Sequence, residues 1–248
     1  MPSRWFFALQ VHPRAVQMHH VHGALSRHFD HRSDGSSDFA LCPPELGPDG
    51  TTRVEVRLLS DERRVVDRLA EGMVTATGRG GLQLGPRGRQ RTVSLLPARG
   101  AVTVGPLSLV EAVSWEELAR MARPLRQFGL KFQSPTFSRR GNVQLPLPLP
   151  GSVVKSIERH WAAHAPGVAP RVPASQMEMD VVHLKGETLT VELDHDRWTG
   201  FVGEVHYLLR RGRAPEELAL GQLMASARFT GVGSMVAYGF GVVEAFAV

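Results

Sequence analysis

The stretch Gly231-Val-Gly233-Ser-Met-Val-Ala-Tyr-Gly239-Phe-Gly241 carries four glycines in the pattern G-x-G-x5-G-x-G, between a helical pattern and a final apolar strand pattern. Paired glycines allow tight turns or the close approach of a ligand's backbone. The run is not a dinucleotide-binding fingerprint, because that motif follows a strand and opens a helix. It is not a P-loop either, since no Gly-Lys-Ser/Thr follows. It is therefore either a ligand-binding loop or a helix C-cap followed by a β-bulge.

Outward from this loop, the hydrophobic patterns predict the same order of elements twice. The first half predicts a strand at 4–11, a helix over 13–29, strands at 39–41 and 54–58, a helix over 60–72 and then short strands. The second half predicts a strand at 127–136, a helix over 151–164, strands at 187–194 and 200–210, a helix over 215–229 and a strand at 242–247. This order is the split βαβ pattern of ferredoxin-like domains.

The predicted fold is therefore α+β, with two tandem ferredoxin-like (RRM-like) βαββαβ domains and a C-terminal glycine-rich loop at 231–241. The predicted boundaries are 1–113 for the first domain, 114–124 for a linker helix and 125–248 for the second domain. Ser114-Trp-Glu-Glu117 has the spacing of a capping box, which supports a helix start at this junction.

Composition limits the class of protein. The 248 residues are 42% hydrophobic and 21% charged, as expected of a soluble globular chain. The single cysteine, Cys42, excludes an internal disulfide and a four-cysteine zinc site, and a reducing cytoplasm is the expected location. The apolar run from Trp5 to Val11 is too short to span a bilayer, so no membrane association is predicted.

The net charge of +5 is unevenly distributed. Residues 73–110 contain five arginines and no acid, and residues 118–156 contain seven basic residues and no acid. Such segments attract a polyanion and strengthen its binding through counterion release. The alternative is an arginine-rich surface with solvated charges, but segregation over this length favours nucleic acid.

Three further segments resemble a known family when they are read with the glycine loop. They are Lys131-Phe-Gln-Ser-Pro-Thr-Phe-Ser-Arg-Arg140, Gly200-Phe-Val-Gly203-Glu-Val-His-Tyr-Leu208 and Ala227-Arg-Phe-Thr-Gly-Val-Gly233. Together they resemble the CRISPR repeat-processing, pre-crRNA-cleaving endoribonucleases of the repeat-associated RNA-binding superfamily. The resemblance covers residues 118–248 well and the first half loosely.

The resemblance implies two ferredoxin-like domains that cleave RNA without a metal or other cofactor. Attack of the substrate's 2′-hydroxyl on the adjacent phosphate would leave a cyclic phosphate, and a histidine near neutrality suits the proton transfers. The family carries a catalytic histidine near the end of the first helix. Counted back from Phe39, His31 lies closest to that position and His28 is the reserve. Arg139 is the candidate that stabilises developing phosphorane charge.

The resemblance also implies RNA contacts in several segments. The predicted RNA-binding residues are Arg32, Lys131, Ser134, Arg140, Gly231, Gly233, Ser234, Tyr238, Gly239 and Gly241. Relatives often carry a basic residue inside the loop, whereas this chain has Ser234-Met-Val-Ala-Tyr238. Contacts there are therefore expected from backbone amides, Ser234 and Tyr238.

Two other functions remain open at this point: a non-catalytic RNA-binding subunit of a CRISPR surveillance complex, and a ferredoxin-like protein unrelated to RNA. The histidines near the first helix favour the enzyme, and the basic segments argue against the unrelated protein. His19 and His22 share i,i+3 spacing, but no full ligand set accompanies them, so no metal site is predicted. The expected partners are CRISPR repeat RNA, other subunits of a CRISPR effector complex and a second copy of the chain.

Overall fold

The computed structural model describes residues 1–29, 37–60, 62–86, 88–193 and 196–248. The chain divides into two compact units, Met1–Val113 and Ser114–Val248. Residues 114–124, predicted as a linker helix, thus fall within the second unit, where their helix packs on the last helix of the chain.

The first unit contains eight strands and two α-helices among its described residues. In chain order they are β1 (Ser3–Leu9), α1 (Met18–Leu25), β2 (Phe39–Leu41), β3 (Glu45–Leu46), β4 (Thr52–Leu58), α2 (Arg63–Gly78), β5 (Leu82–Leu84), β6 (Arg91–Val93), β7 (Thr103–Val104) and β8 (Leu107–Ala112). Short 3-10 turns at Pro13–Ala15 and Ser26–His28 flank α1.

The main sheet of this unit has the strand order β2-β4-β1-β8-β7, with β3 also paired to β4, and its pairings are antiparallel. Burial alternates along β1, so that Trp5, Phe7 and Leu9 face the core while the residues between them are half-buried. One face of an antiparallel sheet is thereby covered and the other is left accessible. Val21 and Leu25 of α1 contribute to the same core.

The described residues of the second unit form six strands and three α-helices. They are α3 (Trp115–Met121), β9 (Gln127–Thr136), β10 (Ser138–Arg140), β11 (Val143–Leu145), α4 (Pro150–His164), β12 (Met179–Leu193), β13 (Asp196–Leu209), α5 (Ala214–Thr230) and β14 (Val243–Phe246). The side chain of Ser114 caps α3 by accepting a hydrogen bond from the amide of Glu117, 3.0 Å away, as the capping-box spacing predicts.

The four long strands of this unit form an antiparallel sheet in the order β12-β13-β9-β14. In both units the first strand is central, flanked by the third and fourth strands of the βαββαβ order, and the second strand lies outside the third. This shared topology confirms the two tandem ferredoxin-like domains. Phe128, Leu130 and Phe132 of β9 form the core with α4 and α5.

Several of the predicted elements differ in extent from the structure. The helix expected over 13–29 is interrupted, because Val16 and Gln17 adopt extended backbone and only Met18–Leu25 is α-helical. Val16 is buried in this extended conformation, so tertiary packing overrides the local helical preference. The strands expected at 187–194 and 200–210 are longer, since β12 begins at Met179 and β13 at Asp196. None of the described helices is long and apolar enough to cross a bilayer.

Candidate functional site

His28 closes the 3-10 turn that follows α1, and its half-buried ring lies against α2 of the first unit. The ring touches the position of Gly72, where an added Cβ would lie 2.5 Å from Nδ1 and 2.6 Å from Nε2 of His28. Any side chain at residue 72 would therefore displace the imidazole. The absence of a side chain in the middle of α2 is what allows the ring to sit there.

The same ring lines a cleft of about 390 Å³. The cleft is formed by Arg27, His28, Phe29, Arg68, Glu71, Gly72 and Thr75. Burial lowers the pKa of His28 below its usual value, and the positive charge of Arg27 lowers it further. The imidazole is thus neutral at neutral pH and able to accept a proton. Sequence reasoning named His28 but missed Arg27, its neighbour in the chain, and Arg68, which the packing of α2 brings to it.

His31 and Arg32, the other candidates of this region, lie outside the described residues. Phe29 and Phe39, described residues that lie before and after that segment, have stacked rings with centroids 4.5 Å apart. His22 stacks on the same Phe39 ring at 5.6 Å. The choice between His31 and His28 as the proton-transfer group therefore remains a prediction.

The glycine loop of the second unit packs tightly against its own sheet. Gly231, Gly233, Gly239 and Gly241 all have positive φ, which favours glycine. A Cβ on Gly233 would lie 2.4 Å from the carbonyl oxygen of Phe137, and one on Gly241 would lie 2.0 Å from that of Val232. These two glycines are required by the fold of the loop itself.

Backbone amides of the loop are also engaged within the chain. Gly233 N–H donates to Ser156 Oγ at 2.7 Å, and Ser234 N–H donates to the Phe137 carbonyl at 2.9 Å. Gly241 N–H donates to Pro135 at 3.1 Å. Amides used in this way do not form an open phosphate cradle, which favours the structural interpretation of the four glycines.

The remaining loop candidates differ in accessibility. Ser234 and Tyr238 are half-buried and present part of their surface to solvent. Ser134, in contrast, is 1% exposed, and its Oγ accepts a hydrogen bond from Val242 N–H at 2.9 Å. The structure thus assigns Ser134 to holding the loop against β9. Among the side chains predicted to contact RNA in the loop, Ser234 and Tyr238 are accessible, and their contact with RNA stays a prediction.

Arg139 forms an aromatic surface with a residue that the sequence analysis missed. Its guanidinium lies over the ring of Trp198 at 5.3 Å, and Phe137 stacks on the same Trp198 ring at 5.4 Å. Gln144 fixes the β10–β11 hairpin to β13 by accepting from Thr199 N–H at 3.0 Å. This surface adjoins the glycine loop, because the Phe137 carbonyl accepts a hydrogen bond from Ser234 N–H. An exposed arginine over a half-buried tryptophan is suited to stacking and phosphate contact.

The other two basic candidates lie elsewhere in the second unit. Arg140 is exposed at the end of β10. Lys131 is exposed on β9, where its direct cross-strand neighbours are Glu204 and Glu244. The charge around Lys131 is therefore mixed, whereas that around Arg139 and Arg140 is positive.

The chain has two ferredoxin-like units, and the second carries the glycine loop and the Arg139–Trp198 pair. Residues 130–243 match the family model described as CRISPR-associated endoribonuclease Cas6. No curated protein sequence matches the chain.

The solved structures that resemble the chain agree with this match. A Cas6 product complex shares 27% identity with a TM-score of 0.73, and each chain is covered to 99%. A substrate-mimic complex of the same protein shares 27% identity with a TM-score of 0.68, again over 99% of each chain. A Thermus thermophilus Cas6 product complex, at 24% identity and a TM-score of 0.75, covers 99% of this chain and 100% of its own and supports the fold. Residues 130–243 thus carry the match to the Cas6 family model, and the chain resembles a solved Cas6 structure over 99% of its length.

Proposed function

We propose that this protein is an endoribonuclease that cleaves CRISPR repeat RNA into guide RNAs, without a metal, by attack of the RNA's own 2′-hydroxyl. The family match supports the activity, and the solved relatives include complexes with a product and a substrate mimic. The observation that carries the mechanism is the neutral His28 ring, seated against Gly72 in a cleft with two arginines.

In the proposed reaction, a neutral histidine takes the proton of the 2′-hydroxyl at the cut. The 2′-oxygen then forms a bond to the adjacent phosphorus, and the bond from phosphorus to the 5′-oxygen breaks. The imidazolium returns its proton, directly or through water, to that oxygen, which gives a free 5′-hydroxyl beside a 2′,3′-cyclic phosphate and restores the neutral histidine. Acid–base help of this kind is worth about 10²–10⁴-fold in rate. His31, by the family resemblance, and His28, by its surroundings, are the two candidates.

The charge that develops on the phosphorane needs fixed cations. We assign this role to Arg27 and Arg68, which line the cleft beside His28. The sequence-based expectation gave the role to Arg139. Because Arg139 is stacked on Trp198, we favour a role for it in holding RNA.

The decisive experiment incubates the protein with the repeat RNA of its host in EDTA and analyses the RNA ends. We expect cleavage to persist and to leave a 2′,3′-cyclic phosphate or a 3′-phosphate. A repeat with a single 2′-deoxy nucleotide just upstream of the cut should bind normally and remain intact, because the nucleophile is missing. Activity that stops in EDTA and returns with a divalent ion, or normal cutting of the deoxy repeat, would overturn the mechanism.

A further inference from the structure

Three side chains with metal-ligating atoms converge on the sheet of the second unit. They are His183 on β12 and Glu204 and His206 on β13. One ligand atom of each lies within 4.8 Å of the others. His183 is exposed and the other two are half-buried, so the group is open to solvent.

The strand geometry explains why these residues meet. Glu204 and His206 are two residues apart on one strand and therefore point to the same face. Their side chains touch, with His206 Nε2 2.7 Å from Glu204 Oε1. His183 is the direct cross-strand partner of His206, and the two rings lie 4.6 Å apart between centroids.

An irregularity in β12 creates this pairing. The register shifts between Val181 and His183: Val181 pairs with Tyr207, and His183 pairs with His206. In regular pairing Val182 would lie opposite His206. The extra residue thus replaces a valine with a histidine at that position, and bulges commonly re-aim a side chain in this way.

We propose that His183, Glu204 and His206 bind a zinc-class divalent ion through three protein ligands and leave one coordination position open. Two imidazoles and one carboxylate are a known ligand set for zinc with a free position. Bonds of about 2.0–2.2 Å require ligand atoms only about 3.3 Å apart. The ligand atoms, up to 4.8 Å apart, must approach by about 1.5 Å, and the exposed side chain of His183 can make that adjustment by rotating.

The neighbouring charges set the expected strength of binding. In the cross-strand register Glu204 lies between Lys131 and Lys185, whose ammonium groups compete with a cation for the carboxylate. We therefore expect weaker binding than at a structural zinc site with four protein ligands. The open position, beside two lysines, suits a water molecule or an anionic oxygen.

This inference does not rest on the proposed cleavage reaction. None of the three ligands is a residue to which proton transfer has been assigned, and cleavage is expected in EDTA. Binding of the ion can therefore be measured without RNA, and either proposal can fail without the other.

The test treats the full chain with EDTA, removes the chelator and titrates it with ZnCl2 by calorimetry, with CoCl2 absorption spectra as a second readout. We expect one ion per chain at this site and a tetrahedral cobalt spectrum. His183→Ala should weaken zinc binding by at least about 10-fold, since even loss of an outer-shell partner costs 10–100-fold. Because His183 is exposed, this variant should keep its fold, which circular dichroism checks.

The matched control is the double variant His19→Ala/His20→Ala, which removes an adjacent histidine pair whose rings lie 4.0 Å apart on α1. Its zinc affinity should equal that of the unchanged chain. Glu204→Gln should give an intermediate loss. The proposal would be overturned if the unchanged chain did not bind zinc or if His183→Ala bound it equally well. It would also be overturned if zinc affinity fell in the His19→Ala/His20→Ala variant instead.

Discussion

At the residue scale, the surroundings of His28 link the fold to the chemistry. The ring occupies the space beside Gly72, which has no side chain and lies 44 positions away in the sequence. Burial and Arg27 keep the ring neutral. His31 lies outside the described residues, and the prediction that it is catalytic depends on the family resemblance and on its spacing from Phe39.

His31→Ala is expected to lower the single-turnover cleavage rate by about 10²-fold or more, with RNA affinity within a few-fold, as for a lost general acid or base. His28→Ala is measured beside it with the same repeat RNA. If His28→Ala alone loses activity, the proton-transfer group lies one helical turn earlier than the resemblance implies. Normal rates in both variants would contradict the histidine mechanism.

The His28 ring should titrate with a pKa below the ordinary value of 6.5 in an NMR experiment, and the His28→Ala variant identifies its resonance. A lowered pKa means that the unfolded chain binds more protons between that pKa and 6.5. The contribution of His28 to the free energy of unfolding is therefore fully present above pH 6.5 and is lost as the pH falls through the pKa of the folded state. A midpoint at or above 6.5 would show that the ring is not held as described.

At the element scale, the glycine loop and the β10–β11 hairpin have different tasks. The amides of the loop form hydrogen bonds within the chain, and its glycines pack closely against β9 and α4. The hairpin presents Arg139 over Trp198, next to that loop. We infer that the loop is the support and the hairpin with β13 is the surface that contacts RNA.

Gly233→Ala should destabilise the second unit by at least about 1 kcal/mol, because its φ is +89° and the new Cβ would lie 2.4 Å from a carbonyl oxygen. RNA binding should weaken only as far as the fold does. Gly151→Ala is the matched control, since a Cβ there meets nothing within 4 Å. Chemical denaturation and RNA affinity at low temperature check both. Full stability with lost affinity would restore the loop as a direct RNA contact.

Arg139→Ala and Trp198→Ala should each weaken RNA binding, Trp198→Ala by about 1–3 kcal/mol if a base stacks there. Arg197→Ala makes the same charge change on the neighbouring strand, where its exposed partner is Glu192, and should have a smaller effect. Affinity and saturating single-turnover rate are measured for all three. A slower saturating rate with unchanged affinity in Arg139→Ala would return it to the catalytic role.

At the scale of the whole molecule, charge is the feature that extends over both units. The acid-free segments 73–110 and 118–156 lie in different units, so each unit carries its own concentration of basic residues. A ribonuclease that follows a phosphate backbone needs such a distribution, because backbone contacts supply most of its salt-dependent affinity.

Repeat RNA affinity should therefore fall steeply with salt. With about five phosphate contacts on single-stranded RNA, the log–log slope should be about −3.5, at roughly 0.7 per contact. Replacing exposed Arg140 by alanine should reduce the slope by about one contact, while Arg197→Ala should leave it unchanged. A slope near zero would argue against binding through these basic segments.

Much of the fold follows from local patterns. The strand at 127–136 agrees with the residues of β9, and the helices predicted at 151–164 and 215–229 agree with α4 and α5 within one residue at each end. Apolar spacing and proline positions are local properties, so they can be read without tertiary structure. The start of α1 could not be predicted in this way, because the burial of Val16 in an extended conformation depends on the rest of the unit.

The sequence by itself determined the tandem ferredoxin-like class, the resemblance to the CRISPR repeat-processing endoribonucleases and the short list of histidines and arginines, because periodicity and motifs are carried by neighbouring residues. The tertiary structure alone decided that His28 rests on Gly72, that Trp198 supports Arg139 and that a bulge brings His183 to His206. It also showed Ser134 and the glycines engaged within the chain. Each of these contacts joins residues distant in sequence, and their distances depend on strand register and helix packing, which local patterns do not specify.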